Sequence, residues 1–287
     1  ALPAGAAKLS GMSEAVFDVV RGSTPLLVSI PHDGRLVPDT ISARMSAAGR
    51  ALPDTDWHVA QLYAFAADLG ASVITARYSR YVVDLNRPPD DAALYGKGLT
   101  TGICPDRTFA GEPVYADGTP VGQDEERERI AAYWQPYHAQ LAEILGAIRQ
   151  EFGYALLWDA HSIVSEAPLL FEGELPVLNV GTWGGRSCAA DIGKALAGVL
   201  THAPQTSVIN GRFTGGHITR HYGDPARDVH AVQLELAQRS YMDEKTMRYD
   251  ETSSAQLVPV LEQLLRAYLE AARARYARYD YARREHE

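Results

Sequence analysis

Short unbroken apolar runs alternate along this chain with stretches in which apolar residues recur at helical spacing. The run Tyr154 to Trp158 lies between Gly153 and the polar group Asp159-Ala-His-Ser162. A short run without alternation suits a central strand of a parallel sheet, covered on both faces. Asp159 and His161 are then expected where that strand ends, the place at which ligands gather in open α/β sheets. Residues 16–20 and 25–30 read as two more strands joined by Arg21-Gly-Ser-Thr24, and the second leads directly into Pro31-His-Asp-Gly34. Segments 71–76, 177–180, 206–209 and 230–236 complete the strand set, and Gln233 and Glu235 share one face of the last.

Helical spacing marks residues 56–69, through Val59, Leu62, Tyr63, Phe65, Ala66 and Leu69, with Asp54 as the expected N-cap. It recurs over 124–152, where Asp124 is the expected cap, Pro136 a point for a kink and Gly153 the stop. Helices are also expected over 187–200 and 254–284, the later half of the last being mostly charged. Residues 88–120 are rich in Pro and Gly yet contain Tyr, Phe and Cys, which predicts a long ordered loop of the kind used as a functional lid. Repeats are absent. The alternation predicts one three-layer α/β/α domain with a mixed, mainly parallel sheet, covering residues 12–287 as a single catalytic unit. Residues 1–11 are expected to be an N-terminal extension.

Composition narrows the classes. With 46% hydrophobic and 22% charged residues in 287, a sizeable core is available. A formal net charge of −9 sets the chain against nucleic acid and anionic membrane surfaces. No apolar run is long enough for a membrane span, and residues 1–11 lack the pattern of a signal peptide. Cys104 and Cys188 are too far apart for a thiolate zinc site or a disulfide framework, so reduced thiols in a cytoplasmic protein are the expectation.

The polar clusters carry the chemistry. His32 after one strand, Asp56 opening a helix and His161 after another strand would make two imidazoles and a carboxylate, a ligand set used by catalytic zinc. Their separation forms no local motif, and two hydrogen-bonded loop histidines are the plainer reading. Asp159-Ala-His161 invites comparison with the Asp-x-His-x-Asp pattern of two-metal ureohydrolases, but Ile163 stands where the second Asp would be. Glu235 interrupts an apolar run, either as a general base or as the partner of a buried Arg. Arg80, Arg87, Arg212 and Arg220 lie in apolar or Gly-rich segments, where guanidinium forks suit carboxylates. Ser162 has no nucleophile elbow around it, and Cys104 has no activating neighbour in sequence.

Seven ordered segments together are specific: Ser29-Ile-Pro-His-Asp-Gly34, Asp54-Thr-Asp-Trp-His58, Tyr81-Val-Val-Asp-Leu-Asn-Arg-Pro88, Gly98-Leu-Thr-Thr-Gly-Ile-Cys-Pro105, Trp158-Asp-Ala-His-Ser162, Asn210 to Gly223, and Gln233-Leu-Glu-Leu236. From Phe17 to Met242 the chain resembles the N-formylglutamate amidohydrolases. The resemblance implies a zinc-carboxypeptidase-like fold, one divalent metal ion with zinc as the expected species, and hydrolysis of N-formyl-L-glutamate to formate and L-glutamate. It implies a small dicarboxylate substrate held by Asn86, Arg87, Arg212 and Arg220, and Glu235 as the proton shuttle. His32, Asp56 and His161 are the implied metal ligands, with Asp54 and Asp33 open as alternative carboxylates. Activity on another N-acyl amino acid, or ligand binding without turnover, are the competing expectations.

Overall fold

The structure, a computed structural model, describes residues 15–90 and 101–284, with side chains described through residue 278. The expected extension at 1–11 and the 91–100 part of the long loop lie outside these residues.

Seven strands form one sheet in the order β1-β3-β2-β4-β7-β5-β6. They are β1 (Phe17–Val20), β2 (Leu26–Ile30), β3 (Ser72–Ala76), β4 (Ala155–Ile163), β5 (Leu178–Gly181), β6 (Ser207–Ile209) and β7 (Val229–Ala237). Pairings β2–β3, β2–β4, β4–β7 and β5–β6 are parallel, whereas β1–β3 and β5–β7 are antiparallel. The sheet is therefore mixed and mainly parallel.

Period-two alternation on the three central strands divides the core. Leu26, Val28 and Ile30, then Leu156, Trp158 and Ala160, then Val232, Leu234 and Leu236 face one side, where helices Ala190–His202 and Glu251–Arg284 cover them. Leu27, Ala155, Leu157 and Ala231 face the other side, against Tyr137, Leu141, Ile144, Leu145 and Ile148 of helix Gln135–Phe152. Those five recur at spacings of three and four, so they form one stripe, and burying Leu141 or Ile144 fully contributes about 1.5–3 kcal/mol. Gly153, at φ 81°, ends that helix by donating its N–H to the Arg149 carbonyl.

The second face changes character along its length. On β4 it continues from Ala155 and Leu157 to Asp159, His161 and Ile163, and on β7 from Ala231 to Gln233, Glu235 and Ala237. Apolar positions thus give way to four polar ones and then to two apolar ones. The polar stretch marks the site.

Several local expectations need correction. β4 does not end at Asp159: it runs to Ile163, because β7 offers a backbone partner at every step. Asp159 and His161 therefore stand inside a buried strand rather than beyond its end. The expected helix over 56–69 is a single α-turn, Val59–Leu62, followed by a 3-10 turn, Ala64–Ala67. Asp54 does not cap it. Asp33 does, accepting from the N–H groups of His58 and Ala60 at 3.2 and 3.0 Å, while His58 at φ 65° prevents an earlier start. Asp124 lies in the first turn of helix Gln123–Arg129, which is capped by Gly122. A π segment, Ile130–Trp134, then joins it to the next helix just ahead of Pro136, whose ring and missing N–H disturb regular pairing with the preceding turn. Among the described residues no helix is long and apolar enough to cross a membrane.

Candidate active site

His32 lies two residues past the end of β2, and its carbonyl accepts the N–H of Asp56 at 3.0 Å. The Asp56 carboxylate in turn accepts the Ser162 N–H at 3.0 Å, so backbone contacts from two directions hold it against β4. The result is a buried triad. His32, Asp56 and His161 each offer a ligand atom, and these atoms lie within 4.8 Å of one another. Nδ1 of His161 is 3.1 Å and Nδ1 of His32 is 3.7 Å from Asp56 Oδ2. The opposite ring nitrogens face carboxylates: His32 Nε2 lies 2.8 Å from Asp84 Oδ1 and His161 Nε2 lies 3.0 Å from Asp159 Oδ1. Carboxylates thus lie against the outer nitrogens of both imidazoles, an arrangement that in metal sites orients the rings and raises their basicity.

Electrostatics show what this donor set suits. Burial alone would lower the pKa of His161, but the charge of Asp159 and hydrogen bonds to Asp159 and Asp56 raise it well above the usual value. Asp56 is held far below the usual carboxylate range: burial opposes its charge, but Arg80, His161 and His32 outweigh that. Arg80 reaches both His32 Nδ1 and Asp56. The cluster thus concentrates acceptors around Asp56 that call for positive charge. Asp159 Oδ1 is buried without a well-directed hydrogen-bond donor. A cation at His161 Nδ1 would place the ring proton on Nε2, 3.0 Å from Asp159 Oδ1, and Nε2 would then no longer accept from the Asn86 amide. Two imidazole nitrogens and one carboxylate, each with its outer partner in place, fit a divalent ion of the zinc type.

Glu235 stands beside this triad by register, paired with His161 across β4–β7. Its side chain is buried and accepts from Gln233 Nε2 at 3.2 Å. Burial pushes its pKa up to about 8, with the charge of His161 opposing and that of Asp56 adding to the rise. Among the described residues no ion pair joins it to an Arg. A buried carboxylate poised near neutrality suits proton transfer.

Asn86 is the link to the rest of the site. Its Nδ2 contacts His161 Nε2 at 2.9 Å and its Oδ1 accepts the Ile218 N–H at 2.8 Å. Gly216 is required there, because a Cβ would overlap the Asn86 amide. The 79–86 segment is fixed from beneath by buried Arg129, which donates to the carbonyls of Tyr81 and Val82 at 3.2 and 3.1 Å.

Residues 24–242 match the N-formylglutamate amidohydrolase family. The chain belongs to that family. It is 49% identical over 267 residues to an N-formylglutamate deformylase of Pseudomonas putida, covering 92% of this chain and 100% of that one. A second N-formylglutamate deformylase, from Pseudomonas aeruginosa, is 49% identical over 266 residues with the same coverage. The crystal structure of an N-formylglutamate amidohydrolase from Ralstonia eutropha JMP134 superposes with a TM-score of 0.76 at 25% identity, covering 89% of this chain and 98% of that one. A structure from Agrobacterium tumefaciens shares the fold, with a TM-score of 0.65 at 18% identity over 88% and 95% of the two chains.

Within this N-formylglutamate amidohydrolase fold the other singled-out residues have definite places. Asp54 accepts the Tyr81 hydroxyl at 2.7 Å and the Phe109 N–H at 2.9 Å, tying down the described part of the long loop. Asp33 caps the turn at Val59. Of the three carboxylates left open, Asp56 is thus the one beside both imidazoles. Arg87 follows Asn86, with its guanidinium 3.5 Å from the Thr101 hydroxyl. Arg212 donates to the Leu170 carbonyl at 2.8 Å, and Arg220 folds back on Gly215 and Thr214 at 2.7 and 3.2 Å. Ser162 is buried, and its hydroxyl accepts from Tyr241 at 2.7 Å. Burial pushes the Cys104 thiol up to about 12, far from a nucleophile's range. Asp84, the partner of His32, was passed over in sequence. Its place in the polar segment after β3 was the available signal.

Proposed function

We propose that the chain is a divalent-metal-assisted hydrolase that splits N-formyl-L-glutamate into formate and L-glutamate. The observation that carries the reading is the buried His32–Asp56–His161 cluster with Glu235 in register beside His161. The two Pseudomonas relatives, named for the deformylation of N-formylglutamate and matched over their whole length, supply the substrate. Nδ1 of His32, Nδ1 of His161 and the Asp56 carboxylate would hold the ion, and zinc matches that donor set. When bound, such an ion supplies Lewis acidity that polarises a carbonyl and acidifies water.

The chain's own groups do the remaining work. Asp84 and Asp159 orient the two imidazoles. Glu235 accepts a proton as water oxygen attacks the formyl carbon, then delivers it to the glutamate nitrogen as the C–N bond breaks. Burial keeps competing solvent from that carboxylate. Asn86, Arg87, Arg212 and Arg220 hold the substrate carboxylates, Arg by bidentate pairing. Formate release from N-formyl-L-glutamate, compared with a panel of N-acyl amino acids before and after chelation, tests this. Preference for the formyl substrate, lost on chelation and restored by the ion, is the expected result. Faster cleavage of another N-acyl amino acid overturns the substrate, and full metal content without turnover overturns the enzyme.

A further inference from the structure

The described buried histidines differ in one respect. His138 engages the Tyr222 hydroxyl at 2.9 Å and the Leu85 carbonyl at 2.8 Å, and His230 engages the Ala189 N–H at 3.2 Å and the Tyr276 hydroxyl at 2.9 Å. His32 and His161 are committed to the triad. His217 is 9% exposed, yet its Nε2 is buried with no hydrogen-bond partner. Buried polar atoms are otherwise nearly always paired, so an unpaired one beside a candidate site calls for an explanation, a catalytic or binding role among them.

Its surroundings say which ligand. The flanking backbone is tied to residues that touch the triad or Glu235: Gly216 N–H donates to Gln233 Oε1 at 2.6 Å, His217 N–H to the Asn86 carbonyl at 3.2 Å, and Ile218 N–H to Asn86 Oδ1 at 2.8 Å. Two residues on, the Thr219 hydroxyl donates to Asp159 at 3.3 Å. The imidazole stacks on His221, with centroids 5.0 Å apart and planes at 22°, and Trp134 lies 5.7 Å away. Trp134 in turn donates to the Arg87 carbonyl at 2.9 Å, which links the indole near His217 to the backbone of Arg87. Burial and the neighbouring His221 lower its pKa to about 4, so the ring is neutral at pH 7 and one of its nitrogens carries a hydrogen to donate.

We propose that His217 is a substrate-anchoring residue whose Nε2–H donates to one carboxylate of the dicarboxylate substrate. The proposal rests on the functional reading above and adds to it a neutral donor.

His217→Phe removes the donor while keeping a ring against Trp134, His138 and His221, and His217→Gln restores a donor. The metal-loaded enzyme is titrated calorimetrically with L-glutamate, and kinetics are measured on N-formyl-L-glutamate. The Phe variant should bind L-glutamate about 10-fold or more weakly, and its KM should rise much more than its kcat falls. Gln should recover part of the loss. The thermal midpoint of the Phe variant should not fall, because an unpaired buried nitrogen is removed. The loss should also vanish for whichever probe lacks the contacted carboxylate, 4-aminobutanoate for the α-group or L-norvaline for the γ-group. An unchanged Kd for L-glutamate in the Phe variant, an equal loss with all three probes, or a parent that binds no dicarboxylate would overturn the assignment. Formate release by the parent is a separate readout, so failure of the proposed reaction is distinguishable from failure of His217 as an anchor.

Discussion

Replacing Glu235 with Gln separates a proton-transfer role from a structural one. The residue is 8% exposed, its carboxylate accepts from Gln233 Nε2 at 3.2 Å, and no Arg ion pair to it occurs among the described residues. Gln has the same length, and its carbonyl oxygen can keep that bond, so no charge is stranded. Had Glu235 been the partner of a buried Arg, the change would cost about 3–5 kcal/mol. At roughly 2–4 °C per kcal/mol for a chain in this size class, the midpoint would fall by roughly 6–20 °C. The geometry predicts instead a midpoint at or above that of the parent and unchanged metal content. Turnover should drop roughly 10²–10⁴-fold, or about 2.7–5.4 kcal/mol of barrier at 1.36 kcal/mol per decade. The assay is formate release at saturating substrate, paired with elemental analysis and a thermal scan. A stable, metal-loaded and fully active Gln variant would refute the role of Glu235. Asp159 would then be the carboxylate to test next.

Three further outcomes follow from the same geometry. Because burial raises the Glu235 pKa toward about 8, the fraction of the group able to accept a proton falls progressively as the pH drops below that value. kcat/KM should therefore climb with pH along an acid limb lying between the ordinary carboxylate range and about 8, drawn downward by a bound cation, and a Glu235→Gln profile that keeps the limb would assign it elsewhere. Asp84→Asn removes the carboxylate 2.8 Å from His32 Nε2 and should weaken metal binding by roughly 10–100-fold in a chelator competition, whereas unchanged affinity would deny Asp84 an orienting role. Gly216→Ala places a methyl against the Asn86 amide at an ordinary φ of −82°, so circular dichroism should stay native while kcat/KM falls, and normal kinetics would show that Asn86 can move without consequence.

Residue types and their order determined a good deal. The apolar runs Leu26 to Val28 in β2 and Ala155 to Trp158 in β4 are legible as buried strands because burial on both faces leaves little room for alternation, and the helical stripe through Leu141, Ile144 and Ile148 is legible for the matching reason. Two imidazoles, a nearby carboxylate and a Glu in an apolar strand were legible as candidates, although residue types alone favoured two hydrogen-bonded loop histidines as the plainer reading. What the chain alone left open was direction and partner. Asp33, Asp54 and Asp56 are the same residue type within a short segment, and only the folded backbone turns one toward the imidazoles, one onto helix N–H groups and one onto Tyr81. β4 reads as ending at Asp159, where the apolar run gives way to polar residues, yet pairing with β7 carries it to Ile163, since hydrogen bonding between backbones is indifferent to side-chain polarity. The opposition of His161 and Glu235 depends on that same register, where a slip by one residue would send Glu235 to the other face of the sheet. Asp84 behind His32 and the unpaired nitrogen of His217 belong to contacts between segments distant in sequence, which come into being only when the sheet and its loops close around the site.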